Sequence, residues 1–195
     1  DFERLDVRIH VRRGDLPVQV IVAIDILIRG QAQLAAHTLQ KAPPEKITYG
    51  NPVRFFVTTN YDDLIEEALE AKRRYPVRVV SDEDVPRTGG SDGCYVVKFH
   101  GCAIETSHIV LSRDDYEDIF SQRPAMASLL ESLLLNQSFL FLGYSLRDPD
   151  FRQIYHRVSS MLRGAKRPAF AVTFEPTNQY VRQQWLRKGL YIIEA

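Results

Sequence analysis

The sequence predicts an α/β protein built on a parallel sheet with helices on both faces. Apolar, β-rich runs alternate with segments of helical periodicity from residue 53 onward. The runs are apolar at consecutive positions, as strands buried on both faces are. Three of them also end abruptly in polar residues. Val53-Arg54-Phe55-Phe56-Val57 runs into Thr58-Thr59-Asn60-Tyr61-Asp62-Asp63, Tyr95-Val96-Val97-Lys98-Phe99 into His100-Gly101, and Phe139-Leu140-Phe141-Leu142 into Gly143-Tyr144-Ser145. In open α/β sheets the carboxyl ends of the strands are where ligands bind.

The elements follow in order. Residues 18–39 read as helical with a break near Gly30, although the β-branched content of 18–28 also suits a strand. Lys41-Ala42-Pro43-Pro44 is a loop. A strand over 54–58 leads to a helix whose first turn takes Asp62 and Asp63 and whose apolar face is Leu64, Ile65, Ala68 and Leu69. This helix ends near Arg73. A short strand is expected over 77–80, and the Gly-, Asp- and Pro-rich stretch 81–92 reads as a surface loop. A strand over 95–99 follows, then a short one over 109–111. Ser112 with Asp115 resembles a capping box opening a helix through Phe120, in which Tyr116 is placed to line a pocket or simply to pack. Met126, Leu129, Leu130, Leu133 and Leu134 form the apolar face of a helix over 123–135. After a strand over 138–142, Asp148-Pro149 pairs a cap with Pro at the first helical position. That helix runs to about Leu162. Strand 169–173, helix 177–188 and strand 191–193 complete the chain.

Bulk properties narrow the function. A chain of 195 residues with 45% hydrophobic content can bury a substantial core in one domain. A net charge of zero argues against nucleic-acid binding driven by general electrostatics. The clusters Arg4, Arg8, Arg12, Arg13 and Lys72, Arg73, Arg74 read as solvated helix ends or faces. Cys94 and Cys102 are the two cysteines and form no CxxC, so neither a zinc site nor a disulfide framework is expected. The longest apolar run, 18–28, contains Gln19 and Asp25 and is too short to span a bilayer. With no signal peptide in view, a cytoplasmic protein is expected. The opening Asp1-Phe2-Glu3-Arg4-Leu5, without initiator Met or leading strand, suggests a single domain over 1–195 that is an N-terminally incomplete piece of a larger protein.

The polar ends carry the chemistry. Asn60 and Asp62, at i and i+2 of a strand-to-helix turn, can both face a crevice whose helix N-terminus supplies N–H groups. An amide and a carboxylate there could hold a ribose and a water; the alternative is a turn residue and a cap. His100, followed by a glycine that permits close backbone approach, suits a general base; the alternative is a core histidine bonded to backbone. Gly143 allows a ligand near the main chain, and Ser145 could bond ribose or phosphate oxygens. Asp148 reads first as a helix cap.

Taken together, in order and spacing, three blocks resemble the sirtuin-like (silent-information-regulator type) superfamily, and within it the zinc-free bacterial branch of NAD-hydrolysing domains of antiphage defence systems. They are Val57-Thr58-Thr59-Asn60-Tyr61-Asp62, Lys98-Phe99-His100-Gly101 and Phe141-Leu142-Gly143-Tyr144-Ser145-Leu146-x-Asp148. The resemblance spans roughly 54–195. It implies a Rossmann-like fold and NAD as substrate. It implies that Asn60 and Asp62 handle the nicotinamide ribose and its attacking water, with His100 as base. Thr58, Thr59, Gly101, Gly143, Tyr144, Ser145 and Asp148 would contact the dinucleotide, Gly143 and Ser145 on its adenosine side. No metal is implied. The family's activity would be NAD glycohydrolase, depleting NAD in abortive infection, with a homo-oligomer or a fused or associated sensor as partner. A non-catalytic NAD or ADP-ribose sensor is the first alternative, and an NAD-dependent deacylase or ADP-ribosyltransferase the second. Two departures stand out. The four-Cys zinc module of deacylating sirtuins is absent after His100-Gly101, which favours hydrolysis. The family's opening Gly-Ala-Gly-x-Ser loop is also absent, since Gly14, Gly30 and Gly50 are the only glycines before Asn60. The first strand and its Gly-rich loop are therefore expected to be lacking.

Overall fold

Strands that hide both faces need helices above and below the sheet, and the chain supplies them. A computed structural model describes residues 20–24, 53–90, 93–110, 112–142, 152, 155–156, 169–173 and 176–194, with backbone alone at 20–24 and 113–117. The strands among them are Val20–Ile24 (β1), Phe55–Thr58 (β2), Val77–Val79 (β3), Tyr95–Lys98 (β4), Ser138–Leu142 (β5), Ala169–Thr173 (β6) and Leu190–Glu194 (β7). The helices are Leu64–Glu70 (α1), Arg113–Gln122 (α2), Pro124–Asn136 (α3) and Gln179–Arg187 (α4). The strands form one sheet in the order β3-β4-β2-β1-β5-β6-β7, and every pairing is parallel. This is the parallel α/β architecture that the alternation predicts, and it has the Rossmann-like character that the resemblance implies.

Alternate side chains of the strands enter separate cores. Phe55, Val57, Tyr95, Val97, Phe139 and Phe141 face α2, α3 and α4 through Ile119, Met126, Leu130, Leu133, Leu134 and Trp185. Phe56, Val96, Leu140 and Val172 face Ile65 and Leu69 of α1. Each such side chain contributes about 1.5–3 kcal/mol on leaving water. Tyr155, in a helical segment between β5 and β6, lies edge-on to Phe141 at 6.2 Å and to Trp185 at 5.5 Å. Its hydroxyl donates to Lys188 O at 2.7 Å.

Three expectations are corrected. Residues 20–24 are strand, not helix. Their Val-Ile-Val-Ala-Ile content suits a pleated buried position, and pairing to β2 on one side and β5 on the other overrides helical periodicity. The place expected to be empty for want of a first strand is thus filled, by a segment followed in sequence by Asp25-Ile26-Leu27-Ile28-Arg29, without glycine. The stretch 81–92 is not simply a loop: Asp82–Gly89 is a 3-10 helix. Asp84 Oδ2 accepts the N–H groups of Val80 at 3.0 Å and Ser81 at 3.3 Å. Partial burial opposes the Asp84 charge, but those bonds and Arg87 outweigh it and hold the carboxyl below its usual range. Finally, Ile109 and Val110 lie in no strand, and a 3-10 turn, Thr106–His108, precedes them. The expected helix after Asp148 is described at 152, 155 and 156, which are helical. The expected loop at 41–44 and the remainder of 18–39 lie outside the described residues.

Candidate functional site

The sheet register aligns the strand ends. Lys98 pairs with Thr58, Thr58 with Ile24, and Ile24 with Leu142, so β4, β2, β1 and β5 finish in one row. Because β1 lies between β2 and β5, the chain leaves the centre in one direction and returns on the other side. That reversal is the switch point at which open α/β sheets form a crevice.

Asn60 and His100 each stand two residues beyond this row, on adjacent strands about 4.8 Å apart. The ladder continues past the strands, with Phe99 N donating to Thr58 O at 2.9 Å. His100 and Thr59 are buried and Asn60 half-buried. The hydroxyl of the buried Thr58 accepts Asn60 N–H at 3.0 Å, a local turn bond made in addition to the ladder bond of its carbonyl. Asp62 is exposed, and its Oδ1 accepts Leu64 N–H at 3.2 Å, so this carboxylate helps to start α1. Gly143, Tyr144, Ser145 and Asp148 lie outside the described residues, but Leu142, which precedes them, belongs to the aligned row.

The two loops are stitched together. Ala103 N donates to Tyr61 O at 2.8 Å, and the Tyr61 hydroxyl donates to Val110 O at 2.6 Å. Val110 N donates to His100 O at 2.9 Å. Gly101 has φ +97°, and a Cβ there would sit 2.3 Å from His108 O. The close approach that glycine permits is therefore to the chain's own His108 backbone.

A buried charge network supports the Asn60 side. Lys98, inaccessible to solvent, donates to the main-chain carbonyl of Asp62 and lies 3.1 Å from Glu66 Oε1. Arg78 from β3 meets the same oxygen at 2.9 Å and Asp63 at 3.7 Å. Partial burial works against the Arg78 charge, but the Glu66 carboxylate outweighs it and raises the guanidinium pKa. Glu66 Oε2 is buried and meets no donor among the described residues. Sequence reasoning passed over this network, as it did Arg123, which reaches the carbonyls of Phe99 and His108. A visible signal existed: Lys98 is a cation inside an otherwise apolar run of strand length.

Among the described residues no group of three or more His, Cys, Asp or Glu side chains could hold a metal ion. Cys94 and Cys102 are buried thiols, and burial pushes the Cys94 thiol up despite nearby Arg74. No described helix is long and apolar enough to cross a membrane.

These features define the class: an open parallel α/β protein with a polar crevice edge at the carboxyl ends of its central strands. The chain belongs to the SIR2-like domain family, whose model matches residues 54–193. It is similar to the "NAD(+) hydrolase ThsA" of Enterococcus faecium, 30% identical over 69% of this chain and 28% of that protein. The protein of the same name from Bacillus cereus (strain MSX-D12) is 35% identical over 59% of this chain and 24% of its own length. "Defense-associated sirtuin 2" of Bacillus subtilis is 27% identical over 77% of this chain and 15% of its own. The chain thus spans less than a third of the curated relatives it matches.

Proposed function

We propose that this domain is an NAD glycohydrolase. It cleaves the bond between nicotinamide and ribose, and in the parent protein it depletes NAD as part of antiphage defence. The observation that carries this reading is the register: β2 and β4 deliver Asn60 and His100 from equivalent positions on neighbouring strands. Relatives named as NAD(+) hydrolases add to it. In the reaction, a water oxygen bonds to C1′ of the ribose as the C–N bond breaks. The bonding pair leaves on nicotinamide, and His100 takes the water's proton. The products are nicotinamide and ADP-ribose. Asn60 and Asp62 orient the ribose and the water; Asp62, bonded through Oδ1 to Leu64 N–H, also holds the turn that carries it. The oxocarbenium-like transition state calls for oriented dipoles and a base, not a metal. Thr59, Gly101, Gly143, Tyr144, Ser145 and Asp148 complete the dinucleotide contacts, and Thr58 shapes the turn that presents Asn60. The setting is cytoplasmic, where the NAD pool lies, with activation through self-assembly or an attached sensor.

Nicotinamide release from NAD by the full-length parent tests this, beside a His100→Ala variant and the present domain alone. Turnover in the parent with a loss of at least about 100-fold in the variant is expected. Undiminished turnover in the variant would remove His100 from the chemistry. The glycine-free segment after β1 favours a second reading, a sensor that binds NAD or ADP-ribose without cleaving it. Binding by calorimetry, with no release from activated parent, would establish that reading instead.

A further inference from the structure

Arg123 stands between α2 and α3, at the N-cap position of α3, where its side chain makes no capping bond. A cation there faces the positive end of the helix dipole, which disfavours it. The cap that α3 does have comes from elsewhere. Asp82 Oδ2 accepts Ala125 N–H at 3.1 Å, and Oδ1 accepts Met126 N–H at 2.9 Å. Helix stability therefore gives no reason for an arginine at this position.

Its guanidinium is used in the other direction. Nη1 donates to Phe99 O at 2.8 Å and more weakly to Val80 O at 3.5 Å, and Nη2 donates to His108 O. Phe99 O belongs to the peptide group that joins Phe99 to His100. His108 O is the atom that crowds Gly101. On the far side of His100, its own carbonyl accepts Val110 N–H at 2.9 Å. Both peptide groups flanking the histidine are thus held, one of them by Arg123. A planar fork of five N–H donors can serve three carbonyls from one side chain in a fixed geometry, which a compact ammonium holds less firmly.

We propose that Arg123 is a positioning residue for His100: it fixes the backbone from which the imidazole projects, and so sets the imidazole's aim at the water it deprotonates. This rests on the glycohydrolase reading for its catalytic consequence but not for its geometry. Misplacing a catalytic group by about 1 Å costs on the order of 100-fold in rate.

The test uses the full-length parent with Arg123→Met and Arg123→Lys. In a parent that turns over NAD, Arg123→Met is expected to lower kcat by about 10- to 100-fold with KM within about twofold. Lys, which keeps the charge and fewer donors, is expected to recover part of the loss. Unchanged kcat in Arg123→Met, or equal loss in the Lys and Met variants with KM rising in step, would overturn the proposal. NMR of the histidine rings, assigned with His100→Ala, gives a readout that needs no turnover. Arg123→Met is expected to shift the His100 ring signals and leave those of His156 in place. An unmoved His100 ring would contradict the proposal even if the parent proved to be a sensor. A parent that cleaves NAD equally well without His100 would instead remove His100 as the base, and with it the catalytic consequence of the proposal, whereas a parent that cleaves no NAD would break the glycohydrolase reading.

Discussion

At Gly101 a single backbone angle decides whether the loop after β4 can exist. Its φ of +97° and the 2.3 Å approach that a Cβ would make to His108 O leave room for glycine alone. Gly101→Ala is expected to cost about 2–3 kcal/mol, read from the midpoint of chemical denaturation; a change below about 0.5 kcal/mol would mean that the turn relaxes freely. The glycine was legible in the sequence, but its neighbour was not. His-Gly after a buried strand pointed to close backbone approach, and the partner turned out to be the His108 carbonyl, brought in by a 3-10 turn that no periodicity announces. The placement of Asn60 and His100 just past the ends of β2 and β4 was legible for a firmer reason: a buried strand must end somewhere, and the polar residues that follow it mark the rim. Lys98 and Glu66 were missed because their meaning is three-dimensional. Each sits in an apolar pattern, and only the crossing of α1 over β4 makes them a buried pair.

At the scale of elements, β2, β4 and β5 follow from apolar runs of strand length, and α3 follows from its leucine and methionine stripe, four of whose five residues are buried. The strand β1 did not follow, because a short β-branched run reads equally as strand or buried helix until its partners are known. The remote cap of α3 was equally invisible, since Asp82 lies more than forty residues before the helix it serves. Asp82→Ala strips two N–H groups of that helix of their acceptor and is expected to destabilise the domain by about 1–2 kcal/mol, with Asn in its place recovering most of it. Thermal unfolding of the two variants checks this. Equal stability of Asp82→Ala and the parent sequence would show that solvent caps α3 as well as Asp82 does. The same cap leaves the Arg123 side chain to serve the backbone around His100.

Across the whole molecule, one parallel register converts sequence separation into proximity. Asn60 and His100 are forty residues apart in the chain, yet leave neighbouring strands at equivalent positions. The reversal of strand order at β1 marks the same rim. If these two side chains serve one bond-breaking event, their effects on turnover cannot be independent, since residues that act as a unit are grossly non-additive. The most direct measurement is a double-variant cycle on nicotinamide release by the full-length protein, with Asn60→Ala, His100→Ala and both together. Each single change is predicted to lower kcat by about 100-fold or more, and the double variant to fall no further than the worse single one. Losses that multiply in the double variant, or an Asn60→Ala protein with undiminished kcat, would contradict a shared site.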